Sequence, residues 1–140
     1  MRYLDSSVLI AAMRSDNAHH EACARLVLSG EDLATSAHAL MEAFSILTGG
    51  HSRPRVDAAD AAQILEENLS KRFQIVSLSP REIFQMLKLC RSRGVRGGAI
   101  YDFQHLTAAR KAGAEVLHTL DFGDFQSFAR NGDPRIELPT

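Results

Sequence analysis

Two hydrophobic rhythms take turns along the chain: short apolar runs, and longer stretches with apolar positions three or four apart. Tyr3 and Leu4 read as a short strand, and Ser6 to Met13 as a helix with Val8, Leu9 and Ala12 on one side. In "DNAHHEACARLVLSGE", Asp16 can cap a helix whose stripe is Ala22, Leu26 and the Val27–Leu28 pair, ended by Gly30. "DLATS" is a strand. "AHALMEAFSILTGG" is a helix with Leu40, Phe44 and Leu47 on its core face and a Gly-Gly stop. "HSRPRVD" is a loop, and residues 57 to 69 form a helix with Ile64, Leu65 and Leu69 inward. "FQIVSLS" is the strongest strand signal. Pro80 then opens a helix predicted to bury Ile83, Phe84, Leu87 and Cys90, which "RGVRGG" breaks. "AIYDFQHLTAARKAG" is a helix closed by Gly113, "EVLHT" a strand, "DFGDF" a loop or short helix, and "RIEL" a last strand. Short strands alternating with helices predict an α/β fold, a parallel sheet sandwiched by helices.

Length and composition narrow the class. The 140 residues suit one domain, and no repeat, low-complexity run or linker divides them. No apolar run approaches membrane-spanning length, and the start lacks the pattern of a signal peptide. Cys23 and Cys90 fall in predicted helices without metal-ligand spacing, which points to a reduced, cytoplasmic setting. A net charge of −1 argues against nucleic-acid binding by bulk charge, but leaves room for a local basic patch.

Candidate chemistry enters with Asp5, which interrupts the apolar start "MRYLDSSVLIA". An isolated buried carboxylate is costly. In a parallel sheet, ligands bind beyond the carboxyl ends of the strands. Asp5 follows the first strand, Glu42 lies early in the helix after "DLATS", and Asp121 follows "EVLHT", with Asp124 beyond it. Asp102 is in the first turn of a helix that feeds a strand, so it starts at the same edge. Carboxylates crowded on one rim repel and protonate unless a cation holds them ionised. Oxygen ligands without His or Cys suit Mg²⁺ or Mn²⁺. Each acid also has a local reading. Asp5 can cap the helix at Ser6, Asp102 suits the helix dipole, Glu42 can be a surface acid, and Asp121 and Asp124 can be loop caps.

Taken together, "YLDSSVLIAA", "HHEACARLVLSG", "HALMEAFSILT", "RGGAIYDFQHLTAAR" and "TLDFGDF" resemble the PIN-domain family, and within it the VapC-type toxin ribonucleases of type II toxin–antitoxin systems. The matching stretches come in family order over nearly the whole chain. The resemblance implies a Rossmann-like three-layer α/β/α fold with strand order 3-2-1-4-5. It implies a Mg²⁺- or Mn²⁺-dependent endoribonuclease that cleaves RNA by metal-activated water. The acidic quartet maps to Asp5, Glu42, Asp102 and Asp121, with Asp124 at a position where the family often has a further acid. Ser6 and Thr119 match hydroxyl positions that orient the acids or metal waters. Members often carry Asn where Asp121 stands. The resemblance also implies a VapB-type antitoxin partner and a homodimer.

Lys88, Arg91, Arg93 and Arg96 form a basic run just before Asp102, and Arg96 and Arg93 are the candidate RNA contacts. The local alternative is a solvated helix end, where cations suit the dipole. His51, Arg53 and Arg55 make a weaker patch. His38 and His105 lie four and three positions from Glu42 and Asp102, on shared helical faces. Rival functions are an RNA-binding or adaptor PIN domain without catalysis, and a metal-dependent phosphohydrolase. The phosphohydrolase reading is weakened by Ser7, which stands where a haloacid-dehalogenase phosphatase needs a second Asp.

Overall fold

A computed structural model describes residues 1–50 and 53–140. His51 therefore lies outside the described residues. Five strands, β1 (Arg2–Leu4), β2 (Leu33–Ser36), β3 (Phe73–Val76), β4 (Val116–His118) and β5 (Arg135–Glu137), form one all-parallel sheet in the order β3-β2-β1-β4-β5. The helices between them are α1 (Ser6–Met13), α2 (His20–Val27), α3 (Ala37–Thr48), α4 (Ala58–Leu69), α5 (Pro80–Arg93), α6 (Ala99–Ala112) and α7 (Phe122–Phe128).

Side chains alternate across a strand, and here they split the core in two. Leu4 and Leu33 face α1 to α4, where they pack with Val8, Leu9, Cys23, Ala39 and Leu65. Tyr3 and Ala34 face the other way, toward Met86, Phe103, Leu106, Phe125 and Phe128 of α5 to α7. The result is a three-layer α/β/α sandwich, as the resemblance implies. β1 is central and buried on both faces, so every residue after it arrives at the rim from a rigid base.

Several predicted helix faces do not match. Met86 is the one buried residue of α5, while Ile83, Phe84 and Leu87 are 40%, 64% and 47% exposed. On α3 the buried row is Ala39, Ala43 and Leu47, and Phe44 stands 36% exposed. Apolar periodicity marks a face that avoids water without saying what covers it, and these two faces point out of the fold. On α2, Leu28 is exposed, and Cys23, Leu26 and Val27 carry the packing. Asp16 does not cap α2; it pairs with Arg14 at 2.8 Å, and the helix starts at His20.

Arg93 is reassigned as well. Its Nη1 is 2.7 Å from the buried carboxylate of Asp133 and donates to the Phe128 carbonyl at 3.0 Å, while its guanidinium lies over the Phe103 ring. It ties the end of α5 to the segment before β5, and these bonds occupy the side chain that the sequence offered to RNA. No helix among the described residues is long and apolar enough to cross a membrane.

Candidate metal-dependent nuclease site

The carboxyl ends of β1, β2 and β4 and the N-terminus of α6 meet at one rim. Asp5 leaves β1 and its backbone N–H donates to the His118 carbonyl at the end of β4. Its side chain is 2% exposed, and Oδ1 accepts from Ser7 Oγ at 2.6 Å and from the Val8 N–H at 3.2 Å. Asp5 therefore does cap α1. Among the described residues both bonds fall on Oδ1, and Oδ2 is left without a partner. Capping and ligation are not alternatives here, because the cap fixes the carboxylate while leaving one oxygen free.

Asp102, in the first turn of α6, has its carboxyl pushed up to about 6 by burial, and by the charges of Asp5, Asp121 and Asp124, against a smaller opposing pull from His105. Asp121 is likewise raised, by burial and by Asp5 and Asp124. These four acids thus share one field, as convergence on the rim requires. Glu42 joins them by a different route. It accepts from Ser6 Oγ at 3.2 Å and from His105 Nε2 at 2.9 Å, with His38 Nε2 at 3.6 Å. Burial pushes the Glu42 carboxyl up, but the His105 bond, the His105 and His38 charges and Ser6 bring it net below the usual range. Thr119, fully buried, accepts the Asp121 N–H on its Oγ1 at 2.9 Å and so shapes the turn into α7.

A family model, the PIN domain, matches residues 2–131. The chain belongs to the PIN-domain family. Among solved structures, VapC20 of Mycobacterium tuberculosis, a sarcin–ricin loop cleaving toxin, matches with a TM-score of 0.74 at 20% identity, over 96% of this chain and 100% of its own. VapBC2 of Rickettsia felis, bound to a DNA fragment from its promoter, gives 0.67 at 17% identity, with 100% of both chains covered. PAE2754 of Pyrobaculum aerophilum gives 0.62 at 26% identity, over 90% of this chain and 84% of its own. No curated protein matches the chain in sequence.

Does this PIN domain's donor set suit a divalent cation? Among the described residues, no three acids, histidines or cysteines already stand as a closed coordination group. The chemistry of the donors still fits. They are carboxylates, Asp5 keeps one oxygen outside its cap bonds, and the charges of neighbouring acids raise Asp102 and Asp121, a repulsion that a cation would remove.

Ser7 and Tyr3 escaped sequence reasoning, and His105, singled out there for its spacing from Asp102, bonds Glu42 instead. Ser7 donates to Asp5 and accepts the Leu120 N–H at 3.0 Å, so it staples the β1 and β4 loops together. Its signal was present in "DSS", but nothing local separates it from Ser6. Tyr3 and His105 form a buried pair behind Glu42, with Tyr3 Oη 2.8 Å from His105 Nδ1. They lie 102 residues apart, a pairing that no helical or strand spacing reveals.

Proposed function

We propose that this protein is a metal-dependent endoribonuclease acting as the toxin of a toxin–antitoxin pair. The observation that carries this reading is the gathering of Asp5, Asp102, Asp121 and Asp124 on one rim of a PIN domain, close enough for their charges to raise the Asp102 carboxyl. Asp5, Glu42, Asp102 and Asp121 would hold Mg²⁺ or Mn²⁺, with Asp124 at the edge of the set. The ion would supply charge neutralisation at the phosphoryl oxygens and a more acidic bound water.

The protein's own residues supply position. Ser7 and the α1 cap fix Asp5, Ser6 and His105 hold Glu42, and Thr119 sets the backbone of Asp121. In-line hydrolysis leaves a 5′-phosphate and a 3′-hydroxyl and needs no 2′-OH nucleophile. Preference for RNA then rests on binding. The likeness to VapC20, a toxin that cleaves the sarcin–ricin loop, supports RNA as the substrate. The test is cleavage of a stem-loop RNA with end-group analysis. Cutting is expected with Mg²⁺ or Mn²⁺ alone, and equal cutting in EDTA contradicts the proposal.

Arg96 is the proposed phosphate contact. It is exposed in the turn that leads into α6, and among the described residues its side chain has no ion pair. Arg96→Ala is expected to weaken RNA binding and to lower the slope of log affinity against log salt by about 1, while leaving Mn²⁺ binding intact. An unchanged affinity at low salt would remove this residue from the interface.

An antitoxin partner is supported by VapBC2 of Rickettsia felis and VapBC-1 of Haemophilus influenzae. An acidic rim suits a basic side chain from such a partner. A homodimer is supported by the outward apolar faces. Met41, Phe44, Leu65, Leu69 and Ile75 line a groove of about 400 Å³, and Val76, Ile83, Leu87 and Tyr101 line another of about 330 Å³. Exposed apolar surface of this kind marks association sites. Phe84→Glu is expected to give a monomer in sedimentation with little change in the melting of the fold, since Phe84 is 64% exposed. A wild type that sediments as a monomer at micromolar concentration contradicts the dimer.

A further inference from the structure

Behind Glu42 runs a chain of three side chains from three different elements. Tyr3 of β1 is fully buried, His105 of α6 is 1% exposed, and the side chain of Glu42 on α3 is 28% exposed. Tyr3 Oη lies 2.8 Å from His105 Nδ1, and His105 Nε2 lies 2.9 Å from Glu42 Oε1. The Tyr3 and His105 rings meet edge-on, with centroids 5.9 Å apart. An ionised carboxylate only accepts, so Nε2 carries the hydrogen of that bond. Burial keeps the Tyr3 hydroxyl protonated by pushing its ionisation well above the ordinary range.

We propose that His105, held by Tyr3, is a positioning residue that aims the Glu42 carboxylate at the acidic rim. The inference rests on the reading of that rim as a cation site. Polar side chains buried this deeply are costly unless they are paired. Apolar side chains would fill the same space without needing partners, yet this chain of bonds leads from the core to one half-buried carboxylate. His105 occupies one lone pair on Oε1 and Ser6 occupies one on Oε2. A carboxylate has about four such sites, so two remain for a cation. The same helix carries Asp102 one turn earlier. α6 therefore presents one acid directly and orients a second from α3, which locks the relative placement of two donors that are 60 residues apart in sequence. A free Glu side chain gives up rotamer entropy on being held. The bond from His105 means that this cost is met during folding and not during ion binding.

Two substitutions separate the two ends of the chain. In His105→Asn the amide oxygen can replace Nδ1 toward Tyr3, but nothing reaches Glu42. In His105→Gln the longer amide can donate to Glu42 in place of Nε2. The full-length, metal-stripped protein is titrated with Mn²⁺ by calorimetry, and RNA cleavage is measured alongside. H105N is expected to bind Mn²⁺ about 10–100-fold more weakly, the usual effect of losing a bond that orients a metal ligand. It should lower kcat with little change in KM. H105Q should recover most of the Mn²⁺ affinity. Tyr3→Phe, which keeps the ring and removes the hydroxyl, should weaken Mn²⁺ less than H105N and provides the test if H105N fails to fold. Wild-type Mn²⁺ affinity in H105N, or in Tyr3→Phe where H105N does not fold, overturns the positioning role and leaves the nuclease reading standing. So does an H105Q as weak as H105N. A wild type that takes up no Mn²⁺ overturns both.

Discussion

Asp102→Asn is expected to abolish RNA cleavage while raising the melting temperature of the metal-free protein. Both effects come from one source. Asp102 is half-buried among the charges of Asp5, Asp121 and Asp124, which together with burial lift its carboxyl to about 6. An acid with a raised folded-state pKa binds its proton more tightly when folded than when unfolded. Its contribution to stability is therefore greatest at low pH and is lost as the pH rises from about 4 through about 6. At pH 7 the wild type carries that penalty in full, and asparagine keeps the shape without the charge. After discounting for solvent screening the gain is about 1–2 kcal/mol, or about 3–6 °C in Tm. Mn²⁺ should reverse the ranking, because it stabilises in proportion to affinity and asparagine is the poorer ligand. Melts at pH 5 and pH 7.5, with and without Mn²⁺, check all three parts. A mutant that melts below wild type without metal, and gains as much from Mn²⁺, would mean that Asp102 is only a helix-end acid.

The second large effect is structural and lies away from the rim. Asp133→Ala is expected to cost about 3–5 kcal/mol, the range for breaking a buried ion pair from one side, and about 10 °C in Tm. The Asp133 side chain is 2% exposed. It accepts from Arg93 Nη1 at 2.7 Å and from the Arg130 N–H at 2.8 Å, and it faces Arg110 at 3.5 Å. Removing it leaves the Arg93 guanidinium, 13% exposed, without its anion. Burial raises the Asp133 carboxyl, but the Arg93 bond, the Arg130 N–H and the two arginine charges bring it net below the usual value. This group's stabilisation is thus present above about pH 4 and is lost as the pH falls through its depressed folded value. The mutant should lose less stability than wild type on acidification. A thermal melt near pH 7 within 2 °C of wild type would contradict this role.

Arg93 also shows where sequence reading runs out. A cation in a basic run before Asp102 looks like an RNA contact, and only the fold reveals the acid 40 residues on that claims it. The apolar faces teach a related lesson. Ile83, Phe84 and Leu87 recur at helical spacing as a core stripe would, but α5 turns Met86 inward and leaves them outside. Spacing encodes that a face shuns water, whereas the identity of its cover is a property of the assembled surface. The strands were legible because each is a short run carrying apolar residues and the first four lead into helices, and the sheet order came with the family pattern. At the rim, the positions of Asp5, Asp102 and Asp121 were legible because each sits where a strand ends or a helix begins. The contacts of the supports were not. His105 was visible by its spacing from Asp102, but Ser7, Tyr3 and His105 act across the β1, β4 and α3 boundaries, through contacts that no local period records.

Calorimetric titration of Mn²⁺ into the metal-stripped protein near pH 6, in two buffers of different ionisation enthalpy, asks whether the acids at the carboxyl edge of the sheet form a cation site. Saturable binding with net proton release is expected, since the raised Asp102 carboxyl must ionise to ligate. Release should fade by pH 7.5 while binding persists. A protein that takes up no Mn²⁺, or takes it up equally well as Asp5→Asn and Asp102→Asn, would contradict the claim.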